Sequence, residues 1–155
     1  MKVRKYEMML RESNTYDWEK GSYKRCLRGC NDVYNFIKAD ETFCLAKRPE
    51  EHFLVFAVNV KGETIGFMES SIGDISSTNV NVQQIATFLL LTNAAGCIVA
   101  HNHPSSDVKP SDDDILATKR LYEALKLLNI KLVDHLIVGP GDDYTSFQVE
   151  GLMPY

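Results

Sequence analysis

The chain has 155 residues, 45% of them hydrophobic and 25% charged, which suits one compact soluble domain and leaves no room for a second core. Residues 1–48 carry 11 Lys and Arg against 7 Asp and Glu, a net +4, whereas residues 49–155 carry 6 against 14, a net −8. The acidic part repels a phosphate backbone and welcomes a cation, and no repeat, low-complexity stretch or membrane-spanning apolar run is present. Residues 1–20 have weak periodicity and are expected to form an arm, followed by one domain over 21–155. The opening MKVRKYEMMLRESN lacks a signal-peptide core and cleavage site, so a cytoplasmic protein is expected, with no membrane partner. Over 22–37 the residues Tyr23, Cys26, Leu27, Cys30, Val33, Tyr34 and Ile37 fall on one helical face. Beyond Pro49, HFLVFAVNV predicts a buried strand, Lys61-Gly62 a hairpin turn, and ETIGFMESSIG a second strand. A helix follows, with Val82, Ile85, Ala86, Leu89, Leu90 and Asn93 on one face. AGCIVAH is a short apolar run that suits a strand buried on both sides.

A polar loop over 102–110 then leads into a helix from Asp112 to about Leu128. Ser111 stands at its start, and Asp112, Asp113 and Asp114 occupy the first turn, where the helix dipole favours negative charge. Leu121, Ala124, Leu125 and Leu128 form its apolar face. IKLVDHLIVG predicts another strand and DDYTSFQ a short last one. Interleaved strands and helices predict an α/β sandwich with helices on both sides of a mixed sheet. Cys26, Cys30, Cys44 and Cys97 lack a second Cys/His pair for a structural zinc set and are expected as free thiols, Cys97 within the core.

The chemistry concentrates in AHNHPSSDVKPSDDD, residues 100–114. His101 and His103 are two apart at a strand end, a spacing that sends both imidazoles to the same face. The loop after them is long enough to fold back and bring the Asp114 carboxylate to the pair. Two imidazoles and one carboxylate are three protein ligands with a fourth tetrahedral position open, the arrangement of a catalytic zinc site. Each residue also has a plainer reading. Ser111-x-x-Asp114 is a helix capping box that needs no metal, and lone histidines are often just satisfied polar groups. The same two-His-one-carboxylate set also serves non-haem iron, though the long gap to Asp114 argues against it.

The segment HNHPSSDVKPSDDD resembles the JAMM signature of His-x-His, seven residues, Ser, two residues and Asp, with His101, His103, Ser111 and Asp114 in register. Together with LLNIKLVDHLIVG it looks like the RadC-like family, over about residues 49–147. The resemblance implies a three-layer α/β/α sandwich of the cytidine-deaminase-like type, with Zn²⁺ held by His101, His103 and Asp114. It further implies metal-dependent hydrolysis of peptide or isopeptide bonds, with a peptide or protein as substrate. It also implies an upstream glutamate as general base: Glu51 at the opening of the first strand is the favoured position, Glu69 the rival and Glu50 a weaker one. Ser111 is implied as donor to the oxyanion, a role that competes with its capping role for one hydroxyl. Asp134 and His135 recur in the RadC pattern, either orienting ligands or as a buried, mutually satisfied pair. Ser106 departs from the family, which usually has Gly there. The helix-hairpin-helix segment that often precedes this domain is not evident. The alternative function is a nucleic-acid-binding or repair-associated module. Its support is Tyr6, Tyr16, Trp18 and Tyr23 among N-terminal Lys and Arg, and that charge also reads as solvated helix faces. The oligomeric state is left open.

Overall fold

The computed structural model describes residues 30–39, 45–73 and 80–155. The arm over 1–20, the start of the first helix, the N-terminal aromatic residues, and Cys26 and Cys44 lie outside the described residues. Helix α1 runs Cys30–Ala39, strand β1 His52–Val58, β2 Thr64–Ile72, α2 Val82–Leu91, β3 Gly96–Asn102, α3 Asp112–Leu127, β4 Lys131–Val138 and β5 Tyr144–Ser146. A turn of 3₁₀ helix at Leu45–Lys47 precedes β1 and was not legible in the sequence pattern.

The five strands make one mixed sheet in the order β2-β1-β3-β4-β5. β1 pairs antiparallel with both β2 and β3, β3 pairs parallel with β4, and β4 pairs antiparallel with β5. A parallel step needs a long crossover, and α3 supplies it. Every residue of β1 and β3 is buried, because helices cover both faces of the sheet centre and leave no polar side to alternate with.

Side-chain alternation divides the interior into two cores. Phe53, Val55, Ala57, Cys97 and Val99 face a core shared with Ile85 and Leu89 of α2 and with Ala117, Leu121 and Leu125 of α3. Leu54, Phe56, Ile98, Ala100 and Leu136 face the other, closed by Val33, Phe36 and Ile37 of α1. The architecture is therefore the three-layer α/β/α sandwich. Each such Leu, Ile or Phe contributes about 1.5–3 kcal/mol by leaving water, so β1, β3 and β4 form a stiff frame beneath whatever their ends carry.

Two glycines answer to specific geometry. Gly62, at φ +76°, turns the β1–β2 hairpin, and the Asn59 side-chain oxygen caps that turn by accepting from the Lys61 and Glu63 amides. A Cβ on Gly96 would meet the Lys131 carbonyl at 2.8 Å, so β3 and β4 can start this close together only with Gly there.

Both helix faces differ in part from the periodic pattern. In α2, Ile85 and Leu89 are buried, whereas Leu90 is 56% exposed; the helix ends at Leu91, and Asn93 lies beyond it at φ +53°. In α3 the buried set is Asp114, Ala117, Thr118, Leu121 and Leu125, while Leu128 is the exposed cap. The first turns of the core-facing stripe of α3 thus include two polar residues, Asp114 and Thr118, and they belong to the site.

Candidate metal centre

His101 is the penultimate residue of β3. It pairs with Phe53 of β1 on one side and Ile137 of β4 on the other, so its backbone is clamped from both directions. His103 lies past the strand end, its amide donating to the Val138 carbonyl at 2.9 Å. Strand alternation therefore does not aim this second imidazole. The loop does, through a 2.7 Å contact between His103 Nδ1 and the Asp107 carbonyl. Asp114 arrives from the first turn of α3 and is 2% exposed. Its carboxylate lies 3.1 Å from His101 Nε2 and 3.4 Å from His103 Nε2, and the two Nε2 atoms are 2.9 Å apart.

The hydrogen bonds behind these atoms determine which imidazole nitrogens carry protons. The Thr118 hydroxyl lies 2.6 Å from the Asp114 backbone carbonyl and 2.6 Å from His135 Nδ1. A carbonyl only accepts, so the hydroxyl donates to it and must accept from His135 Nδ1–H. His135 Nε2 is then a bare acceptor, and at 2.8 Å it takes the proton of His101 Nδ1. That leaves the His101 Nε2 lone pair facing Asp114. By the same logic the Asp107 carbonyl takes the His103 Nδ1 proton and leaves His103 Nε2 bare.

Two imidazole lone pairs and a carboxylate thus face one another with nothing but acceptors between them, an arrangement that is costly unless a cation or a proton sits there. Two ligands of a tetrahedral zinc with bonds of about 2.0–2.1 Å lie roughly 3.3 Å apart, close to the separations found here. The three residues fit the ion, and the group His101, His103 and Asp114 can hold a metal.

Without a metal, a proton takes the cation's place. On protonated His103, the hydrogen bond to Asp114 raises the pKa against the opposing effect of burial, and the Asp107 carbonyl and Glu51 charge add to the rise. Burial works to raise Asp114, yet hydrogen bonds from His101 and His103 in that protonated form, and from Ser111, hold its carboxyl far below the usual range. His135 is pushed the other way, chiefly by burial, so it remains a neutral relay. Phe147 stacks on it at 4.6 Å and Phe53 on His101 at 6.1 Å, which holds both rings in orientation.

The capping box is fully formed. Ser111 Oγ accepts from the Asp114 amide at 3.1 Å and donates to Asp114 Oδ2 at 2.6 Å, and Oδ2 also accepts from the Ser111 amide at 2.8 Å. The capping and ligand readings of Asp114 are therefore compatible, because the cap draws on Oδ2 while Oδ1 faces His101. The single Ser111 proton is directed at Asp114.

Of the three glutamates, Glu51 just precedes β1, and its charge acts on His103. Glu69 pairs in register with Leu54, which puts it on the α1 face of the sheet, away from His101. There it bonds Arg48 at 3.1 Å and also His52. Glu50 is exposed. Asp134 and His135 part company as well. His135 touches His101, whereas Asp134 accepts from Ser146 Oγ and the Gln148 amide and secures β5. Sequence reasoning missed Thr118 and Asn102. Thr118, at i+4 from Asp114 on a helix, carried a usable signal, and so did Asn102 between the two histidines.

The family model described as a RadC-like JAB domain matches residues 27–152. Over 104 residues the chain is 41% identical to a UPF0758 protein of Clostridium acetobutylicum, covering 67% of this chain and 45% of that one. It is 40% identical over 109 residues to the UPF0758 protein YfjY of Escherichia coli K12, covering 70% and 68%. With a UPF0758 protein of Desulforamulus reducens it shares 38% identity over 127 residues, covering 82% and 54%. The chain spans about half the length of most of these relatives.

Proposed function

The chain belongs to the RadC-like JAB domain family, and from that premise we propose that it is a zinc-dependent hydrolase of amide bonds in a peptide or protein. The carrying observation is the convergence of His101 Nε2, His103 Nε2 and the Asp114 carboxylate, with both imidazole tautomers set by groups that can only accept. A zinc ion held there supplies a Lewis acid for the scissile carbonyl and makes water nucleophilic near neutral pH.

The chain's own residues do the rest. The His135 relay and the Asp107 carbonyl aim the His101 and His103 Nε2 atoms at the ion, whose binding displaces the proton that Asp114 favours on His103. Asp114 supplies the anionic ligand, and its backbone carbonyl starts the relay through Thr118 and His135. Glu51, whose charge already acts on His103, takes the proton from the attacking water and returns it to the leaving amine, as a positioned carboxylate does in general acid–base catalysis. Ser111, exposed at the mouth, gives its proton to the oxyanion when substrate draws it from Asp114. Asp114 meanwhile keeps the Ser111 amide.

The net −8 of residues 49–155 disfavours a phosphate backbone against this part of the chain and favours peptide over nucleic acid. Elemental analysis of protein purified without chelator should find one zinc per chain, lost in His103→Ala and Asp114→Ala. Stoichiometric iron, or undiminished zinc in those variants, overturns the site. Cleavage of a peptide library should fall by about 10²–10⁴-fold in Glu51→Gln with zinc retained. Metal-dependent cutting of single-stranded or duplex DNA that vanishes in this variant, with no peptide cut, would replace the substrate class.

A further inference from the structure

Glu51 lies before β1 begins, and its carbonyl accepts from the amide of Gly73, just past the end of β2, at 2.8 Å. A general base placed this way needs a second anchor. The side chain that provides one is Asn102, the last residue of β3 and only 1% exposed. Its Oδ1 accepts from the His52 amide at 2.8 Å, and its Nδ2 donates to the Glu50 carbonyl at 2.9 Å and to the Arg48 carbonyl at 3.3 Å. The two short bonds fall on the residues immediately before and after Glu51. One planar amide, offering an acceptor and a donor, thus brackets Glu51 as a neighbouring strand would.

We propose that Asn102 is a positioning residue for Glu51, tying the base-bearing segment to the same strand end that presents the ligands. This rests on the reading of Glu51 as base. Asn102 stands between His101 and His103 in the chain, and successive strand residues point to opposite faces. His101 therefore turns to the metal face while Asn102 turns to the α1 face and holds the segment 48–52. A displacement of β3 moves ligand and base together. Glu69 completes the arrangement. Through Arg48 and His52 it grips the same segment from β2, which gives this glutamate a structural purpose remote from the ligands. Only an amide serves at 102: a carboxylate keeps the acceptor for His52 but turns an oxygen toward the Glu50 carbonyl.

The test uses the full chain in two measurements. In amide hydrogen exchange, Asn102→Ala should lose about tenfold or more of the protection at His52 and Gly73, while strand amides such as Val55 and Val99 keep theirs. Asn102→Asp, closer in shape should the Ala variant not fold, should show the same local loss. In the second measurement the protein is loaded with Co²⁺, and the visible spectrum is followed against pH. Glu51→Gln should shift the pH midpoint, Asn102→Ala should shift it in the same direction at equal Co²⁺ stoichiometry, and the double variant should add nothing further. Unchanged exchange at His52 and Gly73 overturns the tether. A Glu51→Gln shift that Asn102→Ala does not share overturns the positioning role. A Glu51→Gln profile identical to wild type removes Glu51 as base, and a local exchange loss would then mark Asn102 as structural only.

Discussion

Thr118→Val removes one hydroxyl, which meets none of the three metal-facing side-chain atoms, and still should weaken the metal site. The hydroxyl is the start of the relay that ends at the His101 Nε2 lone pair, with contacts of 2.6, 2.6 and 2.8 Å along it. Without it, His135 Nδ1–H is buried with no acceptor, a loss of about 1–3 kcal/mol. His135 can avoid that loss by moving its proton to Nε2. It then donates to His101 Nδ1 and forces the His101 proton onto Nε2, where it blocks the ion. Either outcome costs affinity, and changes to hydrogen-bond partners of ligating histidines typically lower metal affinity about 10–100-fold, or about 1.4–2.8 kcal/mol. Zinc affinity measured by competition with a chromophoric chelator at neutral pH would show this, with urea unfolding of the chelator-treated protein recording the cost to the fold. Thr118→Ser restores the hydroxyl and should restore most of the affinity. If Thr118→Val binds zinc within about twofold of wild type, the relay does not set the tautomer of His101 and the proton assignment is wrong.

Three further outcomes follow from the same geometry. His103 binds a metal as neutral imidazole, and its pKa is raised above 6.5 by Asp114; protons therefore favour the free form, and zinc affinity should decline as pH falls, beginning above pH 6.5 in an affinity-versus-pH series. Ser106 sits at φ +68°, where a Cβ is strained, so Ser106→Gly should raise stability in urea by about 0.5–1 kcal/mol, and a loss of stability would contradict the strain. Burial pushes the Cys97 thiol up to about 12, so peptide mapping should find it unalkylated in the native protein and modified once urea unfolds the chain; native labelling would place Cys97 outside the core.

The convergence of His101, His103 and Asp114 was legible because its signal is local. His101 and His103 are two residues apart, and Ser111 and Asp114 mark a helix start, so a short run of sequence contains both the donors and the turn that aims them. The strands and helices were legible for the same reason: a buried strand such as β3 and an amphipathic helix such as α3 repeat over a few residues. The sheet face that Glu69 takes was not decidable that way. Which sheet face a carboxylate takes depends on pairing register, and β1–β2 contains an irregularity between Phe53 and Leu54 that no periodicity in either strand reveals. The split between His135 and Asp134, adjacent in sequence and opposite in purpose, depends on what each meets across the sheet.

By itself, then, the sequence determined the alternation of elements and the His101, His103 and Asp114 group that can hold a metal, since both are written in short local spacings. The tertiary structure alone decided what stands behind them. Thr118 reaches His135 across 17 residues and His52 reaches Asn102 across 50, and such contacts exist only once the parallel crossover and the β1–β3 register have brought those backbones together.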